Sequence, residues 1–318
     1  MFVQVLCDRL SIDAMKFVKL GEDLVSSIGV GTWQFGSKEW GYGGVFAKTT
    51  AKDILRRAVE LQVNLVDTAE LYGFGASERI VGEALEADRS KVFIATKFFP
   101  VVPLSPLLVD RAYRSAKRLR TDVIDLYQLH FPNPAFPLKL QVGGLRRVLD
   151  RGTVRYGGVS NFSLDYWQSA ETVLRRPLLS NQVHLSLISQ GPLREMHPWA
   201  VANDRVIIAY SPLEQGLLGG RYGLNSKPNG FRRYTPRFSN EYLIKARPLL
   251  ARLSEIAKSY DATSAQVALA WLLKLPNVVV IPGASSTFQL EANVRAAEIE
   301  LTDDQFEELK ELGQDLSR

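Results

Sequence analysis

The sequence predicts a single α/β domain, a (β/α)8 barrel with an N-terminal β-hairpin and extra C-terminal helices. Three observations carry that reading. Short β-branched runs alternate with longer helical patterns along most of the 318 residues. Several of the runs, such as 206–210 and 278–281, are continuously apolar, as expected of strands buried on both faces of a parallel sheet. Their polar last residues, Asp67, Lys97, His130, Ser160, Gln182 and Tyr210, mostly recur about one βαβ unit apart, roughly thirty residues. In a closed barrel such strand ends meet at one face, where chemistry is placed.

Taken in order, residues 16–20 and 25–27 around Gly21-Glu22-Asp23 read as a hairpin. Strands are expected at 28–31, 65–67, 92–97, 124–130, 156–160, 179–183, 206–210 and 278–281. Helices fit at 51–61, 77–85, 107–119, 145–151, 164–174, 198–203, 264–275 and 287–296, with further helices at 243–260 and 302–312. Residues 214–240 are rich in Gly, Pro, Arg and Tyr and have no period. A long irregular loop after the seventh strand marks function. No internal repeat or linker divides the chain, so residues 16–318 are expected to form one domain. Residues 1–15 are expected to be a poorly ordered extension. An open doubly wound sheet would alternate similarly, but no complete G-x-G-x-x-G follows a strand. The run from Gly31 to Lys38 has Ser and Lys in the wrong order for a P-loop.

Composition narrows the function classes. Apolar residues make up 46% of the chain, and 39 Lys+Arg against 34 Asp+Glu leave a net charge of +5. That spread excess reads as a solvated surface and not as a nucleic-acid footprint. The basic stretch from Arg111 to Arg120 looks like an exposed helix face. One cysteine, Cys7, precludes an internal disulfide. Three histidines without an H-x-x-x-H argue against a catalytic metal. No apolar run reaches membrane-spanning length, and Asp8 and Asp13 spoil a signal peptide. The expected compartment is therefore cytoplasmic. Oligomeric state has no sequence signal.

Asn64-Leu-Val-Asp67-Thr-Ala-Glu-Leu-Tyr72-Gly73 is the most informative segment. Asp67 ends one apolar strand, Lys97 the next and His130 the third; Tyr72 lies in the loop after Asp67. Singly, each has a structural reading: a loop cap, a strand leaving the core, a packed histidine. On consecutive strands they make an acid. An ordinary phenol, pKa roughly 10, is a poor proton donor near neutrality. A lysine ammonium lowers that value, a buried lysine needs a carboxylate, and His130 can orient a carbonyl oxygen. Trp33, Trp40, Tyr42, Phe131 and Phe162 offer an apolar wall for a carbonyl substrate. Substrate contacts are expected from Trp33, Tyr72, His130 and Phe131. His184 can face the core or a cofactor, and His197 is expected to begin a surface helix.

Asp67, Tyr72, Lys97 and His130 resemble the tetrad of the aldo-keto reductases. So do the later blocks Gly158-Val-Ser160-Asn161-Phe162, Asn181-Gln182-Val183, Ala209-Tyr210-Ser211-Pro212-Leu213 and Ile281-Pro282-Gly283-Ala284-Ser285-Ser286. The resemblance covers nearly the whole chain from about Lys16. It implies hydride transfer from NADP(H) to a carbonyl carbon, with Tyr72 supplying the proton. It implies that Ser160, Asn161 and Gln182 hold the carboxamide while Tyr210 stacks on the nicotinamide ring. It implies further cofactor contacts from Gly31, Thr32, Trp33, Asp67, Ser211, Pro212, Leu213, Gly216, Leu217 and Ile281. Gly283 and Gln289 stand where some branches of the family have Lys and Arg, and Ala292 where many have an acid. This pattern is similar to the branch that includes potassium-channel β-subunits, whose phosphate contacts come from the loop after strand seven. That likeness implies Arg221 and Arg232 at the 2′-phosphate, with Arg233 in reserve for Arg232. Ser285, Gln289 and Asn293 would close the adenosine end.

Two other functions compete with an NADPH-dependent aldehyde or ketone reductase. One is an NADP(H)-binding barrel acting chiefly as a regulatory or partner-binding subunit. The other is a phosphate-binding barrel without redox chemistry.

Overall fold

The computed structural model describes residues 15–36, 44–224, 226–228 and 234–317. The expected extension up to residue 14, Trp40, Tyr42, Arg232 and Arg233 lie outside the described residues.

A hairpin, β1 (Phe17–Leu20) and β2 (Asp23–Ser26), opens the chain. Among the described residues eight strands then follow in one parallel sheet: β3 (Val30–Gly31), β4 (Leu65–Asp67), β5 (Phe93–Phe98), β6 (Ile124–Leu129), β7 (Val154–Ser160), β8 (Ser180–His184), β9 (Val206–Tyr210) and β10 (Val278–Val280). Between and after them run α1 (Ala51–Glu60), α2 (Ala76–Leu85), α3 (Ser105–Leu119), α4 (Leu138–Asp150), α5 (Leu164–Leu174), α6 (Met196–Ala202), α7 (Asn240–Ser259), α8 (Ser264–Leu273), α9 (Thr287–Val294) and α10 (Asp303–Ser317). Each strand pairs with its sequence neighbour. Parallel bridges Ile28–Val280 and Gly31–Gly283 join the first strand to the last and close the barrel.

Strand alternation decides which residues enter the barrel. Leu65, Phe93, Ala95, Leu126, Ile208 and Val279 form an interior cluster. Leu20 and Val25 of the hairpin join it, so the hairpin plugs the end opposite the strand C-termini. Intervening residues such as Val66, Ile94 and Tyr127 face the helices in the larger core. Two residues beyond Leu65, Ala95 and Leu126 on the same faces come Asp67, Lys97 and Gln128. Period two thus carries the site residues inward.

The expected elements are present, with three differences. The helix expected at 145–151 begins at Leu138 and runs through Gly143-Gly144. Low helix propensity argues for a break there, but a Cβ on Gly144 would sit 2.7 Å from Leu108 Cβ, so close packing of α4 on α3 is what requires the glycine. His197 is not at the surface. It is buried, and its Nε2 lies 2.8 Å from Pro276 O. The basic face of α3 is not simply solvated either. Arg111 reaches buried Glu70 at 2.7 Å, and Arg118 reaches buried Glu78 at 2.6 Å. Glu78 also accepts from Thr96 Oγ1 of β5 at 2.7 Å, tying α2 and α3 to the barrel wall. Among the described residues no helix is long and apolar enough to cross a membrane.

Candidate active site

The C-terminal ends of the strands open into a cavity of about 1120 Å³. Parallel register builds its floor: Gly31 lies beside Asp67, Ser160 beside Gln182, and His184 beside Tyr210.

At one end lies the predicted tetrad. Lys97, 0% exposed, donates from Nζ to both carboxylate oxygens of Asp67 at 2.8 Å and to Thr68 O at 2.9 Å. The same nitrogen stands 3.1 Å from Tyr72 Oη. Every donor position of the ammonium is engaged, which fixes the phenol relative to the barrel. Tyr72 is carried by a turn that needs glycine: Gly73 and Gly75 have φ of 55° and 81°. His130 follows β6 and packs edge-on against Tyr72, with ring centroids 5.9 Å apart, and flat against Phe131 at 4.7 Å.

Electrostatics separates the two acids. Burial, reinforced by the Lys97 ammonium, pulls the His130 imidazole down to about 3, so it is neutral at ordinary pH. Burial pushes the Tyr72 phenol above its ordinary value, while Lys97 pulls it back down. The expectation of a net lowered phenol is corrected here, because desolvation outweighs the ammonium. For Lys97 burial disfavours the charge, yet Asp67 and Tyr72 together hold its pKa above the ordinary lysine value. Burial raises the Asp67 carboxyl above its ordinary value, against the pull of Lys97 and Gln182, and the two 2.8 Å contacts give the Asp67–Lys97 pair the satisfied geometry under which buried charges are tolerated.

A polar cluster adjoins the tetrad. Ser160 Oγ donates to Gln182 O at 2.9 Å, and Asn161 Nδ2 donates to Ser160 Oγ at 3.0 Å and His130 O at 3.2 Å. Tyr210 Oη donates to Asn161 Oδ1 at 3.0 Å. Gln182 is tied directly into the tetrad, its Nε2 donating to Asp67 Oδ1 at 2.6 Å. Sequence reasoning missed that bond.

Farther along, Ser211, Pro212, Leu213, Gly216, Arg221, Ile281, Gly283, Ser285, Gln289 and Asn293 all line the cavity, as do Gly31 and Trp33. Two expected contacts do not. Thr32 is buried beneath the floor, its Oγ1 donating to Asp67 O at 2.9 Å and lying 2.6 Å from Ser77 Oγ. Leu217 is 0% exposed and packs in the core. Lys97 lies below the floor. Among residues not anticipated, Gln34 clasps the floor by donating to Ala284 O at 2.9 Å, and Phe288 stands at the rim. Neither carries a sequence signal.

A profile of the Aldo/keto reductase family matches residues 27–314. The chain belongs to that family. An uncharacterized oxidoreductase of Mycobacterium tuberculosis is 53% identical over 289 residues, spanning 91% of this chain and 90% of the relative. Among solved aldo-keto reductase relatives, the glycerol dehydrogenase of Gluconobacter oxydans superposes with a TM-score of 0.85 at 26% identity, covering 93% of this chain and 94% of that one. An aldo/keto reductase of Klebsiella pneumoniae, in complex with NADP and acetate, superposes at 0.76 with 27% identity, covering 94% and 95%.

Proposed function

We propose that this aldo-keto reductase reduces an aldehyde or ketone to an alcohol using NADPH, with Tyr72 as proton donor. One observation carries the assignment. Of the two groups that can reach a carbonyl oxygen in the cavity, His130 has a pKa near 3 and is neutral, a hydrogen-bond donor with no acidic proton to give. Tyr72 alone is backed by an ammonium, 3.1 Å away, able to stabilise the anion left behind.

The residues present fit the dinucleotide. The cavity runs from the tetrad past the Ser160-Asn161-Gln182 cluster to Ser285, Gln289 and Asn293. Asn293 is 4% exposed and its Nδ2 has no hydrogen-bond partner, an orphaned donor suited to a purine edge. Arg221 lines the cavity as a guanidinium for phosphate. Gly31 permits close approach at the floor, since a Cβ there would lie 2.6 Å from Ile281 O.

NADPH, when bound, would supply a hydride to the carbonyl carbon. Tyr72 Oη and His130 hold the carbonyl oxygen. As negative charge grows on that oxygen, Tyr72 gives it a proton and Lys97, held by Asp67, stabilises the phenolate. Solvent returns the proton. Trp33 and Phe131, 49% and 40% exposed at the mouth, offer an apolar wall to a small carbonyl compound. Loss of NADPH absorbance with a panel of aldehydes and ketones tests the reading. NADPH binding without turnover of any of them would contradict it and favour a partner-binding barrel.

A further inference from the structure

Outside the tetrad, the cavity wall rests on a second buried charge. Glu214 is 2% exposed, a placement tolerated only with compensation. Ser186 Oγ donates to its Oε1, and Ser189 Oγ does so at 2.9 Å. His184 Nε2 and Arg237 Nη1 each lie 2.8 Å from it, close in distance though not aligned as hydrogen bonds. Arg237 also donates to Ser189 Oγ at 3.0 Å. Glu214 and Arg237 are the two feet of the long loop that carries Arg221, so one carboxylate gathers both feet onto the end of β8.

The backbone is bent to make this possible. Ser211, Glu214 and Gln215 have φ of 52°, 50° and 56°, a left-handed conformation that non-glycine residues hold only when surrounding contacts enforce it. The imidazole held by Glu214 then lies flat behind the Tyr210 ring, with centroids 5.4 Å apart and planes 12° from parallel. The other polar tie of that ring is Tyr210 Oη to Asn161 Oδ1 at 3.0 Å.

We propose that Glu214 and Arg237 act as positioning residues: they fix His184 as the backing plate of Tyr210, and so set the ring wall that grips the nicotinamide half of the cofactor. The inference rests on the reading of the cavity as an NADP(H) site.

The test compares two ligands on the full chain by tryptophan fluorescence quenching: NADP⁺, which reaches Tyr210, and 2′,5′-ADP, which fills only the adenosine end. His184→Ala removes the backing ring, and Glu214→Gln keeps shape while removing charge. Each variant is expected to weaken NADP⁺ by about three- to tenfold, the range an aromatic stacking contact is worth. Each should change 2′,5′-ADP by less than about twofold, since that ligand does not use the contact. Equal loss of both ligands, or unchanged NADP⁺ affinity in both variants, would overturn the positioning role while leaving the cofactor reading intact. Failure of the unaltered protein to bind NADP⁺ would overturn that reading, and this inference with it.

Discussion

Replacing Lys97 with methionine removes one side chain and strands three groups. Asp67 loses both of its 2.8 Å contacts and keeps only Gln182, while Tyr72 loses its 3.1 Å neighbour and Thr68 O its donor. Removing one partner of a buried ion pair costs about 3–5 kcal/mol, because the remaining charge stays buried and uncompensated. Asp67→Asn strands Lys97 in the same way and should cost a similar amount. The double variant holds no isolated charge, so its loss should fall short of the two single losses combined by about 3 kcal/mol. Urea unfolding of the four proteins measures this. Reduction rates should be as strongly non-additive, since the pair acts on Tyr72 as a unit. Lys97 lowers the phenol pKa, so Lys97→Met should also move the alkaline limb of the rate profile to higher pH. Strictly additive losses in stability and rate would refute the reasoning.

His130 predicts a pH dependence of stability. Its folded pKa near 3 lies below the unfolded value of about 6.5, so the unfolded chain binds the proton first. Stability should be unaffected above about pH 6.5 and should fall as pH drops from there toward 3, by up to about 1.4 kcal/mol per unit. Melting curves of the unaltered protein and His130→Gln should converge on acidification, and parallel curves would contradict this. Arg221→Ala should weaken NADPH about tenfold and leave NADH nearly unchanged, the loss of one charged contact to the 2′-phosphate. Equal loss of both cofactors would remove Arg221 from that role. Prolonged EDTA treatment should leave activity intact, and loss restored by zinc would show a metal requirement.

The fold was legible where burial writes a plain pattern. Runs such as Val206–Tyr210 are apolar because both strand faces are covered, and the tetrad stood out because Asp67, Lys97 and His130 stand at the ends of strand runs. Features set by distant partners were hidden. The partners of Arg111 and Arg118 lie 41 and 40 residues away, so their descent to Glu70 and Glu78 left no local trace. Gly143-Gly144 reads as a helix break by propensity, whereas packing against Leu108 makes it a helix interior. The net direction of the Tyr72 pKa needed burial, which neighbouring charges in the sequence do not reveal. Nothing in the sequence around Glu214 marks its burial, which depends on His184 and Arg237 from other segments.

The central claim is that Tyr72, and not the neutral His130, gives the proton. Tyr72→Phe removes one oxygen and leaves the ring packed against His130. Single-turnover reduction by the NADPH-loaded variant, measured beside its NADPH affinity, tests this directly. The account predicts unchanged affinity and a reduction rate at least about a hundredfold lower, the lower range for general acid catalysis. Near-normal reduction by Tyr72→Phe would contradict it.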